Sequence, residues 1–391
     1  MHSKQQTFKN ISRQQGLTLL ELLLVVTILS AVAYTTLAVV DNDNSQVRFE
    51  DTQNRLQMIR KAIIGDSSRT INGQPEIRGF VADMGGLPKN IQELTVREYC
   101  PDPQYTTNAA CAGAGEIWAS LTSYAFDGPS GTNTGLWAGW NGPYLPASSE
   151  SDYPKFRDGW GNDDSSNNFG WLFDDTTQPN ELIVQSYGME GDSTGTADYE
   201  VDYPVAASKT LIAQNDYRTL ITDSNTLAPN DENGGITMDF GSPAPCWRCT
   251  DGTSVTRAAC ELASATWRSD TTIMTSAACV LAPGQWQPME NVCLKIGYRI
   301  DGSVATLVSS GLNGNHSFTW DGNPKSAMFS FEDTTNPYDE DTYLPQGQMV
   351  YRLFEYSGGA CTANEYPKGA GWRLFSLVPR SVIQSLKWPV N

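Results

Sequence analysis

The sequence places a single carboxylate, Glu21, near the start of an otherwise apolar run from Leu17 to Val40. As a helix, a run of this length crosses the hydrocarbon core of a bilayer, which is about 30 Å thick. A carboxylate in hydrocarbon is costly, so it normally has a partner and indicates a function. Tyr34 is the only other ionisable side chain in the run, and we expect nothing else in the segment to pair with Glu21.

Three interpretations of this N-terminal region compete. The first is a secretory signal, because Lys4, Lys9 and Arg13 precede the run and Ala31-Val32-Ala33 offers small residues for cleavage. An apolar core of about 7 to 15 residues is typical of signals, however, whereas this run is longer and carries an acid. The second is a plain single-pass anchor, which leaves Glu21 unexplained.

The third interpretation rests on Gly16-Leu17-Thr18-Leu19-Leu20-Glu21, which resembles the prepilin cleavage and methylation motif of type IV pilins and type II secretion pseudopilins. The resemblance implies that a prepilin peptidase cuts after Gly16 and methylates Leu17, where the family usually has phenylalanine. It also implies that Glu21 meets the N-terminus of a neighbouring subunit, so that each charge neutralises the other as the stems bundle. Residues 1–16 are then a leader peptide, and residues 17–40 span the membrane or the filament core.

Composition indicates a domain that faces the cell exterior. The chain has 26 basic and 44 acidic residues, and loss of the three basic residues of the leader would lower its net charge from −18 to −21. This charge disfavours nucleic acid and anionic lipid as direct ligands. Eight cysteines in 391 residues indicate an oxidising compartment.

The apolar run continues into a longer helix. No glycine or proline occurs from Leu17 to Ile64, which predicts one helix over residues 17–64 with a length of about 70 Å. Leu56, Ile59 and Ile63 form a helical stripe that can lie against a globular head. The segment Asp41–Ser45 is its weak point, because such side chains compete for backbone hydrogen bonds, and Gly65 ends it.

A second set of landmarks resembles the globular domain of the major pseudopilin of type II secretion. They occur in the family's order over a head that we place at residues 65–203, with an enlarged insertion at about 95–135. The resemblance implies an α+β fold, in which a pilin-like N-terminal helix joins an antiparallel β-sheet head. The matching stretches are Gly86-Leu87-Pro88, Trp140-Asn141-Gly142-Pro143-Tyr144-Leu145, Asp158-Gly159-Trp160-Gly161-Asn162 with Gly159 in place of proline, and Ile183–Gly188.

In that family the loop after the last of these stretches binds Ca²⁺. The corresponding acidic loop here, Ser186 to Asp202, holds several carboxylates among glycines, a composition that suits the six to eight oxygen ligands of calcium. A solvated acidic turn is the alternative. The candidate ligands are Glu190, Asp192, Asp198 and Asp202.

Residues 204–391 lie beyond the resemblance and predict an additional β-rich domain. Alternating segments such as "KIGYRIDGSVATLVSS" and "QGQMVYRLFEYS" are separated by Gly, Asn and Pro clusters, which is typical of β-hairpins. Such a domain can serve as a displayed binding module.

The cysteines follow an internal repeat. The pattern Thr-x-Ala-Ala-Cys followed by tryptophan occurs twice near residues 256–286 and once near residue 110, which suggests a disulfide-stapled loop. Sequence alone leaves the connectivity open. The pairings we favour are Cys100–Cys111 and Cys249–Cys260, which share a separation of 11, then Cys279–Cys293, and Cys246–Cys361 as the remainder.

Enzymatic readings find little support. Cys246-Trp247-Arg248-Cys249 has the spacing of a redox or zinc motif, but it lacks the surrounding βαβ pattern and further ligands. His316, the only histidine beyond the leader, lies in a predicted turn without a nucleophile-elbow pattern. We therefore expect no catalytic residue.

The combined interpretation is a minor pilin or pseudopilin with an inner-membrane stem before assembly and a periplasmic or surface-exposed head. Its expected partners are other pilin or pseudopilin subunits, the prepilin peptidase, an inner-membrane assembly platform and a surface ligand of the head. A major, filament-forming pilin is the alternative within the class. A membrane-tethered enzyme or carbohydrate-binding protein is the alternative of another class.

Overall fold

The computed structural model describes most of the chain from Thr18 to Trp388. The ranges left undescribed are 1–17, 67–68, 72–73, 102–106, 118, 122–123, 128–132, 147, 150–153, 165, 177–179, 196–198, 201, 205–209, 223–234, 241–245, 255–256, 270–283, 287–291, 310–324, 330, 332–341, 358–359, 366–370, 380–382, 384 and 389–391.

The longest element is helix α1, Leu19–Ile64, with 46 residues. It runs without interruption through residues 41–45, so the predicted weak point does not break it. Gly65 ends the helix with a φ of 79° and donates its N–H to the carbonyl of Lys61 at 2.9 Å, as glycine at a helix end commonly does. The prediction of one long helix that begins with the apolar run and ends before Gly65 is therefore confirmed from Leu19 onward.

The head adds short helices and strands to the second half of α1. Its elements are β1 (Thr70–Ile71), β2 (Gln74–Pro75), α2 (Phe80–Met84), a 3-10 turn (Gln92–Leu94), β3 (Glu98–Tyr99), α3 (Asn108–Gly113), β4 (Ala119–Ser120), β5 (Tyr124–Asp127), β6 (Asn133–Ala138), β7 (Ser148–Ser149), β8 (Pro154–Lys155), β9 (Trp171–Asp174), β10 (Leu182–Ser186), β11 (Thr210–Ile212) and α4 (Gln214–Tyr217). Strand β10 lies between β9 and β11, and both pairs are antiparallel.

The C-terminal part is β-rich, as predicted. Its elements are β12 (Arg218–Thr222), β13 (Ile236–Phe240), β14 (Cys246–Cys249), α5 (Arg257–Leu262), β15 (Trp267–Ser269), β16 (Gly284–Trp286), β17 (Val292–Ile300), β18 (Ser303–Val308), β19 (Lys325–Phe329), β20 (Thr342–Pro345), β21 (Gly347–Ser357), β22 (Ala360–Glu365), β23 (Arg373–Leu377) and β24 (Leu386–Trp388). The described residues form an α+β fold.

The largest sheet contains both segments that the sequence marked as hairpins. Strands β17 and β18 pair antiparallel around Asp301 and Gly302, whose φ angles of 45° and 72° form the tight turn. The long strand β21 pairs with β17 on one side and with β22 and β23 on the other. A separate sheet has the order β19-β13-β24, and β24 runs parallel to β13.

Two large hydrophobic cores contain most of the buried apolar side chains among the described residues. The first contains Leu56, Ile59 and Ile63 of α1 and extends through the head to Tyr217. The second begins at Ile221 and consists of side chains of the C-terminal sheets. The first core includes residues beyond 203, because β11 pairs with β10 and carries its apolar side chains into that core. The division of the chain into domains at 203/204 stays a prediction.

The two parts are joined by hydrogen bonds to backbone carbonyls. Arg299 Nη1 donates to the carbonyl of Ala82 in α2 at 2.6 Å. Gln346 Nε2 donates to the carbonyl of Ile64 at the end of α1 at 2.9 Å, and its own N–H donates to Tyr217 at 2.7 Å. The C-terminal part is thus held against both the head and the end of the stem helix.

Three disulfides are present among the described residues. Cys100–Cys111 and Cys249–Cys260 occur as predicted. The third joins Cys293 to Cys361 across a sequence separation of 68, so the predicted pairs Cys279–Cys293 and Cys246–Cys361 are wrong. Cys293 lies on β17 and Cys361 on β22, which both pair with β21, and the Cα atoms of the two cysteines are 5.8 Å apart. Cys279 and the side chain of Cys246 lie outside the described residues.

Candidate functional site

The first half of α1 exposes an apolar surface all the way round. Residues Leu19–Leu37 form a segment of 19 residues with a mean hydropathy of 2.0, long and apolar enough to cross a membrane, and none of it is buried against the rest of the chain. Exposing an apolar surface of this kind to water costs free energy, and contact with lipid or with other apolar helices removes that cost. Among its members are Leu22, Leu23, Leu24, Val25, Val26, Ile28, Leu29 and Val32.

Glu21 caps the helix that carries it. The N–H and hydroxyl of Thr18 donate to Glu21 Oε2 at 2.9 and 3.1 Å, and the N–H of Glu21 donates to Thr18 Oγ1 at 3.3 Å. This reciprocal pair is a capping box, and the spacing Thr18-x-x-Glu21 is its sequence signature. The expectation that nothing in the segment pairs with Glu21 was therefore wrong. Thr18 supplies hydrogen bonds but no positive charge.

Gly16 and Leu17, the residues on either side of the predicted cut, lie outside the described residues. Cleavage after Gly16 would leave a new α-amino group one residue before Thr18. Processing at this bond remains a prediction.

The second half of α1 packs on the acidic loop through aromatic side chains. Phe49 contacts Tyr203 and Tyr199 edge to face, with ring centroids 4.9 and 5.7 Å apart. Tyr199 in turn lies 6.1 Å from the ring of Trp160. The carbonyl of Tyr199 accepts a hydrogen bond from the N–H of Met189 at 2.6 Å. The acidic loop is therefore attached to the stem.

Asp158 organises the turn that supports this loop. It is 2% exposed, and its Oδ1 accepts hydrogen bonds from the backbone N–H groups of Trp160, Gly161 and Asn162 at 2.8 to 3.1 Å. Its Oδ2 accepts from Ser186 Oγ at 2.6 Å. Buried carboxylates persist when they are hydrogen-bonded in this way.

Asn162 extends the same network to the acidic loop. Its Nδ2 donates to Asp158 Oδ2 at 2.7 Å and to the carbonyl of Gly188 at 2.8 Å. Two landmarks that are separate in the sequence, the turn at 158–162 and the strand end at 186–188, thus form one unit. Sequence reasoning found both stretches but missed the central role of Asp158.

Gly159 stands where the resemblance leads one to expect proline, and its contacts explain the difference. Its N–H donates to Thr52 Oγ1 on α1 at 3.0 Å, a bond that proline cannot make. A Cβ at this position would lie 2.2 Å from the carbonyl oxygen of Arg48. The turn therefore packs with its backbone directly against the stem helix.

The acidic loop exposes residues 189–194 to solvent. Gly188 and Gly191 have φ angles of 69° and 80°, a conformation that favours glycine. The hydroxyl and N–H of Thr194 donate to Asp192 Oδ1 at 2.5 and 2.8 Å, and these bonds lower the pKa of Asp192. Glu190 and Asp192 thus form an exposed anionic tip.

The calcium prediction concerns the same loop and stays untested. Asp198 lies outside the described residues, whereas Glu190 and Asp192 are exposed and Asp202 is half-buried. In the part of the chain that the structure describes, no three His, Cys, Asp or Glu side chains are grouped so that they could hold a metal ion.

The residues that could suggest enzymatic chemistry have other roles or lie outside the description. Cys249 is bonded to Cys260, so it does not form a redox pair with Cys246. The Cys246–Cys249 stretch is a β-strand with partners on both sides, unlike the start of a thioredoxin-like helix. His316 lies outside the described residues.

Comparison with known proteins identifies the N-terminal region. Residues 11–33 match the family model of the prokaryotic N-terminal methylation motif. The match covers 23 of the 391 residues, and together with the apolar first half of α1 it is consistent with a type IV pilin-like protein. Neither a curated protein nor a solved structure matches the chain.

Proposed function

We propose that this protein is a minor pilin or pseudopilin that assembles through α1 into a type IV pilus or a type II secretion pseudopilus. A prepilin peptidase cuts it after Gly16, and an inner-membrane assembly platform receives it with its head in the periplasm. The observation that carries this proposal is the wholly exposed apolar segment Leu19–Leu37, which is continuous with a helix anchored in the head. Because the stem and the head share one continuous helix, the position of the stem in a bundle of stems determines the position of the head.

The size of the head favours a minor subunit over a major one. Residues 221–388 add a second core to the first, and every copy in a filament would have to accommodate it. An occasional or terminal subunit has no such constraint. The C-terminal part then serves as the displayed surface for adhesion or protein contact, with a structural rather than a catalytic role.

The role of Glu21 can be tested by separating its charge from its capping bonds. Glu21→Gln keeps a side chain that can cap the helix but removes the charge, whereas Thr18→Ala removes the cap and keeps the charge. If Glu21 neutralises the N-terminus of a neighbouring subunit, Glu21→Gln and Glu21→Ala should both impair incorporation into filaments, and Thr18→Ala should not. Quantifying the subunit in sheared filament fractions measures this.

Two results would contradict the proposal. If Glu21→Gln is incorporated into filaments normally and Thr18→Ala is not, Glu21 acts only as a helix cap. Mass spectrometry of the mature protein should show an N-methylated N-terminus at Leu17, and an N-terminus at Tyr34 would instead support the secretory-signal interpretation.

Calcium binding by the acidic loop is a further part of the proposal. Its support is the loop's composition and the two glycines that turn its backbone. Calcium bound only to the folded head should raise its melting temperature by mass action, and a chelator should reverse the increase. Melting curves that superimpose in calcium and chelator, with no effect of Asp198→Ala, would leave a solvated acidic turn.

A further inference from the structure

Strand β18 forms an open edge of the largest sheet. The order of the strands is β18-β17-β21-β22, with β23 also paired to β21, so among the described strands β18 pairs with β17 alone. Its six residue pairs, from Ser303 opposite Ile300 to Val308 opposite Lys295, follow one antiparallel register without a bulge. The side of β18 that faces away from β17 therefore carries backbone groups that no described strand uses.

The hydrogen-bond pattern of the hairpin determines which residues of β18 face outward. In an antiparallel pair, alternate residues direct their N–H and C=O groups at the partner strand, and the residues between them direct theirs away from it. Beyond the strand, the N–H of Ser309 donates to the carbonyl of Leu294 at 2.8 Å, so Ser309 faces inward and the alternation is fixed. The outward residues are Val304, Thr306 and Val308, and no described residue hydrogen-bonds to their outward groups.

The edge at β18 lacks the features that normally protect an open edge from pairing with other chains. Proteins protect such edges with charged residues, proline or a bulge. The sequence Ser303–Val308 contains no charged residue and no proline, and its register is regular. At the opposite end of the sheet, β22 shifts its register against β21, carries Glu365 and is joined to β17 by the disulfide of Cys361, and β23 carries Arg373.

This edge is accessible and held in place. Thr306 is exposed and Val308 is 41% exposed, whereas Leu307 packs on the second core. The turn before the strand is attached to the head, because the N–H of Gly302 donates to the carbonyl of Met84 at 2.7 Å. A preformed edge of this kind loses little conformational entropy when it binds a partner.

The chemistry of the edge matches an extended polypeptide. Its outward N–H and C=O groups recur about every 7 Å, which is the repeat of two residues in a strand, and a neighbouring strand presents complementary groups at the same repeat. The side chains beside these groups are uncharged. A segment of about five residues spans the three outward positions, and uncharged, β-branched residues suit its place in a sheet.

Resting on the proposed function of the C-terminal part as a displayed contact surface, we propose that the outer edge of β18 binds an extended, uncharged segment of another protein. The segment adds to the sheet as a further strand, a mode of recognition in which main-chain hydrogen bonds supply the affinity. Because neither side of the contact is charged, its affinity depends little on salt.

The test measures binding of a synthetic peptide to the full-length chain in detergent micelles. The probe is Thr-Val-Thr-Val-Thr with uncharged Gly-Ser flanks and a fluorescent label, and its control carries a methyl group on every core amide nitrogen, which removes the N–H donors but keeps the side chains. We expect the probe to bind at low and at high salt and the control not to bind. Fluorescence anisotropy measures this.

Hydrogen exchange locates the bound peptide. The amides of Val304, Thr306 and Val308 should exchange more than about tenfold more slowly when the probe is bound, because each is then protected by a hydrogen bond to the added strand. Mass spectrometry with fragmentation at single residues measures these rates. The inward amides of Ala305 and Leu307 are the internal reference, because β17 protects them already.

Variants of Thr306 separate the edge from the fold. Thr306→Pro removes one outward N–H and keeps the bonds to β17, because proline is tolerated where the N–H faces away from the sheet, and it should weaken probe binding by more than about tenfold. Thr306→Val keeps the N–H and should bind like the wild type. Where Thr306→Pro lowers the melting temperature, Thr306→Lys with Val308→Lys is the second test, because charges on an edge oppose strand addition.

The proposal is overturned if the methylated control binds as well as the probe, if the protected amides lie outside β18, or if the edge variants bind like the wild type. It is also overturned if the outward amides exchange as slowly as the inward ones before the probe is added, since the edge is then already occupied. Protection that appears without the probe and increases with the concentration of the chain would assign the edge to a second copy instead.

This measurement is independent of filament assembly. Failure of the probe to bind, together with filament incorporation that depends on Glu21, would reject the β18 contact and leave the stem proposal intact. Normal incorporation of the Glu21 variants would weaken the stem proposal and leave the binding result unchanged.

Discussion

The two halves of α1 are one continuous helix in opposite environments. Large apolar side chains from Leu19 to Leu37 are exposed on every face, whereas Leu56, Ile59 and Ile63 form one stripe that is buried in the head. The first pattern is that of a helix surrounded by lipid or other helices, and the second is that of a helix on a globular core. The difference shows that the helix is anchored in the head at one end and exposes an apolar surface at the other, which is the surface that the proposed assembly uses.

The largest expected difference in stability is between two variants, each of which shortens one apolar side chain in one half of α1. Ile59→Ala removes a fully buried side chain and should lower the free energy of unfolding of the head by about 2 to 5 kcal/mol. Leu29→Ala removes a side chain that is 62% exposed and should leave it unchanged. Denaturant unfolding of the detergent-solubilised chain, followed by tryptophan fluorescence, measures both.

In the proposed assembly, the two variants should rank the other way, so that Leu29→Ala lowers incorporation into filaments more than Ile59→Ala does. The reason is that Leu29→Ala removes apolar surface from the stem, whereas Ile59→Ala leaves that surface intact. A head destabilised by Leu29→Ala would contradict the separation of the two halves.

A smaller effect is expected where the head's backbone contacts the stem. Gly159→Ala places a Cβ 2.2 Å from the Arg48 carbonyl and should cost about 1 to 3 kcal/mol, as overpacking does. Gly113→Ala is the matched control, because a Cβ there meets nothing within 4 Å. Equal melting temperatures for the two variants would show that the turn moves away from α1 without cost.

The smallest expected effect concerns the aromatic contact between the stem and the acidic loop. Phe49→Leu keeps an apolar side chain but loses the edge-to-face pairs with Tyr199 and Tyr203, which should cost about 0.5 to 1.5 kcal/mol. Faster amide hydrogen exchange at residues 186–203, with unchanged exchange around Ile63, would locate the loss in the loop. Uniform acceleration throughout the head would argue that Phe49 is instead part of its core.

The sequence predicted those features that depend on local pattern. A span without glycine or proline predicted α1, and equal spacing predicted Cys100–Cys111 and Cys249–Cys260. The repeated Ala-Ala-Cys stretches have a local explanation too, because Ala109–Cys111 lies in α3 and Ala258–Cys260 in α5.

The features that the sequence did not predict depend on distant neighbours. Cys293 and Cys361 lie on β17 and β22, which both pair with β21, and spacing along the chain carries no trace of that strand order. In the sequence, Asp158 looks like any aspartate in a turn. Its hydrogen bond from Ser186, which lies 28 residues later in the chain, is visible only in the structure. Only the capping role of Glu21 had a local signal, Thr18-x-x-Glu21, that could have been recognised.

The parallel pairing of β13 with β24 has a consequence for biogenesis. Met238 lies opposite Leu386, so the second core cannot close until almost 150 later residues have been delivered. If the head is exported as proposed, the C-terminal part can complete this sheet only after that last strand has crossed the membrane, and the edge of β13 stays open until then.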